Sequence, residues 1–404
     1  MINLSLNKKI IIFGFIFTFF SSFGQSFFLG LFNAPIRSEL NITHGQFGSI
    51  YAIATIFSSL LFIWAGKKID DFRLLNYSFF VIILLFFSSL FFSFINNIYF
   101  LAIGIFLMRF SGQGLMSHTS STAISRYFEK SRGKALSAIW FGLSSAEFIL
   151  PVLIIYFLTI YSWRSVWQGI SIIVILILPF VINFTIKKIN FESREGNLTI
   201  KTKTKIKSWK RNEVLRDYRF YIISSNMLAM PWIFTGMAVY QSFITESKLW
   251  EVYTIPKAFM VYSIASIITL FSSGFLVDKF TSRKLIPVMN IPLFLAMVVL
   301  FYSKQEVSAY FFLGLVGISN GFGNILGSST WAEIYGVKYI GSIKALTTAF
   351  MVFSTALGTA LFGALIDNGF TIEKIAFICG SYIIASTSLL VLFRKTLEPI
   401  KLVN

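Results

Sequence analysis

The chain is poor in the residues that most protein chemistry needs. It has one cysteine, Cys379, and two histidines, His44 and His118, among 404 residues. That excludes a disulfide framework and a cysteine- or histidine-built metal centre. No His-Glu-x-x-His pair and no glycine-rich phosphate loop occurs, so zinc hydrolysis and direct use of a nucleotide are not expected. The expectation is a protein that is not an enzyme and carries no cofactor or metal. Charge is scarce too, at 13% of residues, where a soluble domain has about 25%.

What is present is apolar. Hydrophobic side chains make up 56% of the chain, with 48 Phe and eight Trp, more than a soluble core could bury. The bilayer must be the solvent, with aromatic rings at lipid-facing and interfacial positions. The net charge of +18 does not point to nucleic acid, because the basic residues fall between long apolar runs. The first run, Ile10 to Phe32, follows Lys8 and Lys9 as a signal peptide would, but it is too long for one and lacks a small-residue cleavage site. It reads as a spanning helix.

A span needs about 20 apolar residues. That window predicts helices near 10–32, 47–65, 74–95, 99–123, 135–160 and 166–186, then near 220–243, 258–276, 285–302, 309–331, 345–366 and 375–393. The polar interruption from Lys187 to Arg219 holds eleven Lys or Arg and divides twelve helices into two sixes. The expected organisation is a six-helix bundle over 1–190, a basic cytoplasmic linker over 191–215 and a second bundle over 216–404. With the linker and both termini inside, the outer loops carry only Arg37, Arg164, Lys248, Lys257, Lys304 and Lys374. This asymmetry predicts cytoplasmic termini.

The halves read as repeats. Gly66 with Asp70 recurs as Gly274 with Asp278, each between the second and third helix of its half. Lys134-Ala135-Leu136-Ser137 recurs as Lys344-Ala345-Leu346-Thr347, each entering the fifth. Parallel repeats characterise one large transporter fold, with its substrate site near the midplane.

These residues carry a resemblance. Gly274, Asp278 and the basic cluster Lys279, Arg283, Lys284 resemble the loop signature of the major facilitator superfamily. Gly66, Asp70 and Arg73 form a first copy that departs from pattern by placing Asp71 where a basic residue is expected. The resemblance covers essentially the whole chain. It implies an all-α membrane protein of twelve helices in two pseudo-symmetric six-helix bundles, with both loop copies acting as a cytoplasmic gate. Glycine there permits close helix approach, and the aspartate favours a helix N-terminus and basic partners. The bland alternative is a solvated turn with topology-setting charges.

Two charges lie inside spans. Arg109, in Arg109-Phe110-Ser111-Gly112-Gln113-Gly114, sits about halfway along the fourth helix, where a charge normally faces a cavity or a partner. At 100° per residue Gln113, Met116 and Ser120 share its face and His118 lies opposite, as a packing or inter-helix hydrogen-bonding residue. Glu147 lies in the fifth helix, with Trp140, Ser144 and Pro151 on its face. A carboxylate and a guanidinium sharing a low-dielectric interior can be toggled by protonation. Two readings stand: Glu147 takes a coupling proton and frees Arg109 to bind an organic anion, or the two form a fixed salt bridge that only joins helices.

Asn320, Asn324 and Trp331 share a face of the tenth helix, and Asn in hydrocarbon must find a partner. Pro231 and Gly236 predict a bent seventh helix ending near Gln241, with Gln25 as its counterpart in the first. The resemblance implies that helices one, four, seven and ten line the pathway, which makes Gln25, Arg109, Gln241 and Asn320 candidates; Gln113, Glu147 and Asn324 join them as candidates for substrate binding or coupling.

The stretch from Arg109 to Pro151 is similar to bacterial relatives of the monocarboxylate porters. This implies a monomeric secondary transporter in a bacterial inner (plasma) membrane, moving a small organic anion by symport with protons. The alternative is a proton-coupled exporter of drugs or other metabolites. The exporter pattern would have a glycine-proline pair in the fifth helix, whereas Pro151 here follows Leu150.

Overall fold

The computed structural model describes residues 6–128, 132–187, 207–336 and 339–399. Much of the expected 191–215 linker, residues 191–206, lies outside them. Among the described residues twelve helices are long and apolar enough to cross a membrane: α1 (Leu6–Gly24), α2 (His44–Lys67), α3 (Leu74–Phe92), α4 (Ile98–Tyr127), α5 (Lys134–Ile160) and α6 (Trp163–Thr185), then α7 (Tyr218–Val239), α8 (Thr254–Val277), α9 (Ser282–Tyr302), α10 (Val307–Tyr335), α11 (Ser342–Asp367) and α12 (Ile372–Leu392). They are apolar outside as well as inside. Phe57, Trp64, Phe87, Leu176 and Phe180 are exposed, a pattern that costs free energy in water and none in lipid.

Short polar residues start the helices. Thr43 and Gln46 form a reciprocal capping box at α2. Asn97, Ser162, Asp217 and Thr371 accept backbone amides at the starts of α4, α6, α7 and α12. Each oxygen satisfies donors that the first turn leaves unpaired. At the other end, α10 stops at Gly336 with φ +77°, a conformation that glycine reaches without steric cost.

Chain contacts divide the protein into two compact units. One gathers Met1–Ser193 with Ala238–Phe243 and Thr359–Asp367, and the other gathers Arg194–Met237, Ile244–Gly358 and Asn368–Asn404. In the first unit α1 packs on α5, α2 on α4 and α3 on α6. In the second α8 packs on α10 and α9 on α12, while α7 meets α11 through Ser354, whose hydroxyl bonds the Leu228 carbonyl. The pairing repeats down to one close approach. A Cβ on Gly142 would lie 2.2 Å from the Phe15 carbonyl oxygen in the first unit, and one on Gly358 2.2 Å from that of Trp232 in the second.

Charged side chains at and beyond the span ends tie each unit together. In the first, Glu39 accepts from Trp163 at 2.7 Å and pairs with Arg164, which also reaches the Ile95 carbonyl. In the second, Arg219 is buried against Asp217 at 2.7 Å, donates to the Glu398 carbonyl and lies 5.1 Å from the Trp209 ring.

The first helix departs from expectation. It does not run unbroken to Phe32: its regular part ends at Ser21, and Ser22–Gly24 winds as a tighter turn. Gln25 is extended, at φ −83° and ψ 154°, before short helical pieces carry the chain to Leu40. The predicted bend in the seventh helix is present, with breaks at Leu228 and Tyr240. Leu228 lies just upstream of Pro231, which has no N–H to donate back to that turn.

Candidate functional site

The break in α1 sits against an irregularity in α4. Residues Arg109–Met116 wind as a π-helix, a rare geometry with one extra residue per turn that recurs at functional sites. It brings Gly112 against Gly24, backbone to backbone.

Arg109 occupies this crossing and is 3% exposed. Its Nη1 donates to the Gly24 carbonyl and to the Ser26 hydroxyl, each at 3.3 Å. The Tyr51 ring on α2 lies 5.4 Å from the guanidinium carbon, and the Tyr51 hydroxyl donates to Ser26 Oγ at 3.3 Å. Arg109 Nε has no hydrogen-bond partner. Among the described residues no carboxylate pairs with the guanidinium. A buried cation so placed is costly unless an anion comes to it.

Glu147 is buried on α5, at 7% exposure, in the helix that packs along α1. It makes no ion pair and no hydrogen bond to a described side chain, so Arg109 and Glu147 do not form the salt bridge that one sequence reading allowed.

The remaining candidates fall into three places. Gln25 supplies the extended residue of the α1 break, and Gln113 lies in the π-helix with its backbone nitrogen against Gly24. Both side chains are half-buried. Gln241 donates to the Phe27 carbonyl at 2.9 Å and to Ala238 at 3.0 Å, which binds it to the same broken stretch. Asn320 and Asn324 belong to the second unit, where Asn320 donates to Ser266 at 3.0 Å and Asn324 is exposed. Trp331 is core, packed with Phe220 and Tyr335.

The wheel of α4 holds in outline. Ser120 donates to the Gly14 carbonyl of α1 at 2.8 Å, on the side where Arg109 meets Gly24. His118 faces the other way, its Nε2 3.0 Å from the Gly66 carbonyl of α2.

In the first loop signature Asp71 pairs with Lys68 at 3.1 Å, and Arg73 is exposed at the start of α3. In the second, Arg283 pairs with Glu333 at 3.3 Å and with Glu398 at 3.4 Å, and Ser282 donates to Glu333. The side chains of Asp70 and Asp278 lie outside the described residues. A Cβ on Gly274 would meet nothing within 4 Å, so the close approach expected at that glycine is not found. At Gly66 the nearest neighbours are Phe62 of its own helix at 3.3 Å and the His118 ring at 3.5 Å.

Sequence reasoning did not single out Tyr51, Ser26, Glu333 or the Asp217–Arg219 pair. Ser26 is adjacent to a chosen residue, but nothing distinguishes Tyr51 from the other aromatics of an apolar span. Only contact with Arg109 does.

The comparisons agree with this architecture. A family model, the Major Facilitator Superfamily, matches residues 14–359, and the chain belongs to that family. Members of it and the solved neighbours are transporters, not enzymes. Its fold is similar to that of the nucleoside transporter NupG, with TM-score 0.71, 13% identity, and 97% of this chain and 100% of that one covered. It is similar to the D-xylose-proton symporter, with TM-score 0.69, 15% identity and coverage of 97% and 98%. A bacterial homologue of the human lysosomal transporter Spinster, in an inward-facing and unoccupied conformation, matches with TM-score 0.69, 13% identity and coverage of 97% and 96%. No curated protein sequence matches the chain.

Proposed function

We propose that this transporter carries a small organic anion, a monocarboxylate-like metabolite, together with a proton by alternating access. The observation that carries the reading is Arg109, a guanidinium buried mid-span with no acidic partner among the described residues. An arginine so placed has unmet attraction for a carboxylate, and a carboxylate entering a low-dielectric interior needs such a partner.

Glu147 is the proton carrier in this reading. One cation and one carboxylate in the interior suit one monoanion and one proton, a cargo that is neutral in sum. The unpaired arrangement of Arg109 and Glu147 corresponds to the step of the cycle in which Glu147 holds the proton. Proton coupling has a precedent in the fold, since one neighbour is named a proton symporter. Gln25 and Gln113 line the site; Gln241, Asn320 and Asn324 supply contacts at other steps. The two loop signatures, through Gly66, Asp70, Arg73, Gly274, Asp278 and Arg283, act as its gate. The protein works as a monomer in a bacterial plasma membrane with both termini cytoplasmic, as the basic asymmetry favours.

The test is uptake of radiolabelled small monocarboxylates into proteoliposomes across a range of proton gradients. Wild type should show saturable, proton-stimulated uptake. Arg109→Ala should lose uptake, and Glu147→Gln should lose its dependence on the gradient. Absence of carboxylate uptake by well-folded wild type would overturn the anion reading and favour export of drugs or another metabolite.

A further inference from the structure

Arg109 does not hold itself in place. A guanidinium is a planar fork of five donors, and which edge it offers depends on what its neighbours tie down. Here Nη1 is taken by the Gly24 carbonyl and the Ser26 hydroxyl. Ser26 is in turn held by the Tyr51 hydroxyl at 3.3 Å. Tyr51 is fully buried and its ring borders the guanidinium. One side chain therefore sets both the hydroxyl that anchors Nη1 and the wall beside the fork. Nε, buried and without a partner, marks the opposite edge.

We propose that Tyr51 is the positioning residue of the anion site: acting through Ser26, it pins Nη1 to the broken first helix and leaves the Nε edge of Arg109 to take a carboxylate side-on. The inference rests on the reading of Arg109 as the anion anchor. It adds that affinity depends on how the fork is aimed as well as on its charge. A carboxylate offers two coplanar oxygens, so a fork aimed by a rigid tether binds it with little loss of freedom.

The tether has two links, and losing either one releases the fork. Tyr51→Phe keeps the ring and removes the bond to Ser26; Ser26→Ala removes the hydroxyl from the other end. Each should raise the KM for carboxylate uptake by about three- to tenfold, the range expected for the loss of one ordinary hydrogen bond. The maximal rate should stay within about twofold. The double variant should be no worse than Ser26→Ala alone, because Tyr51 acts on the fork through that hydroxyl. A residue that merely filled space would give additive losses or a lower rate at unchanged KM.

Proteoliposome uptake with all three variants decides it, and thermal unfolding in detergent confirms that each is folded. If Tyr51→Phe fails to fold, Ser26→Ala, which removes a single hydroxyl, carries the test. Carboxylate uptake by wild type with unchanged KM in the variants, or additive effects, overturns the role of Tyr51 and leaves the anion reading standing. No carboxylate uptake by wild type overturns both.

Discussion

Gly24 and Gly112 stand face to face where the first and fourth helices cross. A Cβ on Gly24 would lie 2.3 Å from the Met108 carbonyl oxygen and 2.4 Å from the Gln113 nitrogen, and one on Gly112 would lie 2.7 Å from the Gly24 nitrogen. Every obstructing atom is backbone, so nothing can swing aside. Alanine at either position should cost about 1–3 kcal/mol, the range for overpacking, and lower the unfolding temperature in detergent. It should also displace Arg109 from the Gly24 carbonyl and abolish uptake. Wild-type transport by Gly24→Ala would show that the crossing is looser than its geometry.

Arg109→Lys keeps the charge and loses the fork. Lysine is a point charge on a flexible stem and cannot hold the Gly24 carbonyl and Ser26 while presenting a second edge. The expected result is a rise in KM of about tenfold or more, read by uptake over a range of carboxylate concentrations. Equal KM values would mean that the site senses charge alone.

Far from that site, Asp217 and Arg219 form a buried pair, the two side chains 5% and 6% exposed. Removing one partner strands the other charge, a loss of about 3–5 kcal/mol. Asp217→Ala should therefore be among the most destabilising single changes in the second unit, measured by chemical denaturation in mild detergent. A change under about 1 kcal/mol would mean that water reaches Arg219.

Glu39 sets a pH dependence that is independent of transport. Burial raises its carboxyl pKa, but hydrogen bonds from Arg164 and Trp163 outweigh that and hold it below the usual 4.5. With the folded value depressed, the contribution is complete above the ordinary carboxylate range. It is lost as pH falls through the lower, folded value. The unfolding temperature of wild type should drop below pH 4.5 more steeply than that of Glu39→Gln. At neutral pH the two should differ by no more than about 1 kcal/mol, because the pair is partly exposed. Parallel curves would remove Glu39 as the cause.

How much of this was legible beforehand follows from the kind of signal each feature leaves. Twelve spans and two repeats show in hydropathy because lipid demands runs of apolar residues. The charges of Arg109 and Glu147 stand out in such runs for the same reason. The break at Gln25 left no mark, since no proline announces it and it depends on Gly112 of another helix. The π-helix was equally silent, because the polar residues from Arg109 to Gln113 mark a site without saying how many residues each turn holds. Conversely Gly274 matched a family signature whose close approach the fold does not show. Tyr51 became visible only once three helices placed it beside Ser26 and Arg109.

The π-helix of α4 also makes the length of this stretch matter as much as its composition. From Arg109 to Met116 the chain holds about one residue more than a regular helix would need. Deleting one residue there lets the segment rewind with ordinary pitch while the helix beyond it keeps its phase, whereas a deletion in a regular part of α4 turns everything beyond by about 100°. After the first kind His118 would keep the Gly66 carbonyl and Ser120 the Gly14 carbonyl, anchors now at 3.0 and 2.8 Å. The rest of α4 should thus tolerate shortening less well than this stretch, and a deletion scan along the helix would trace the wide turns by its survivors.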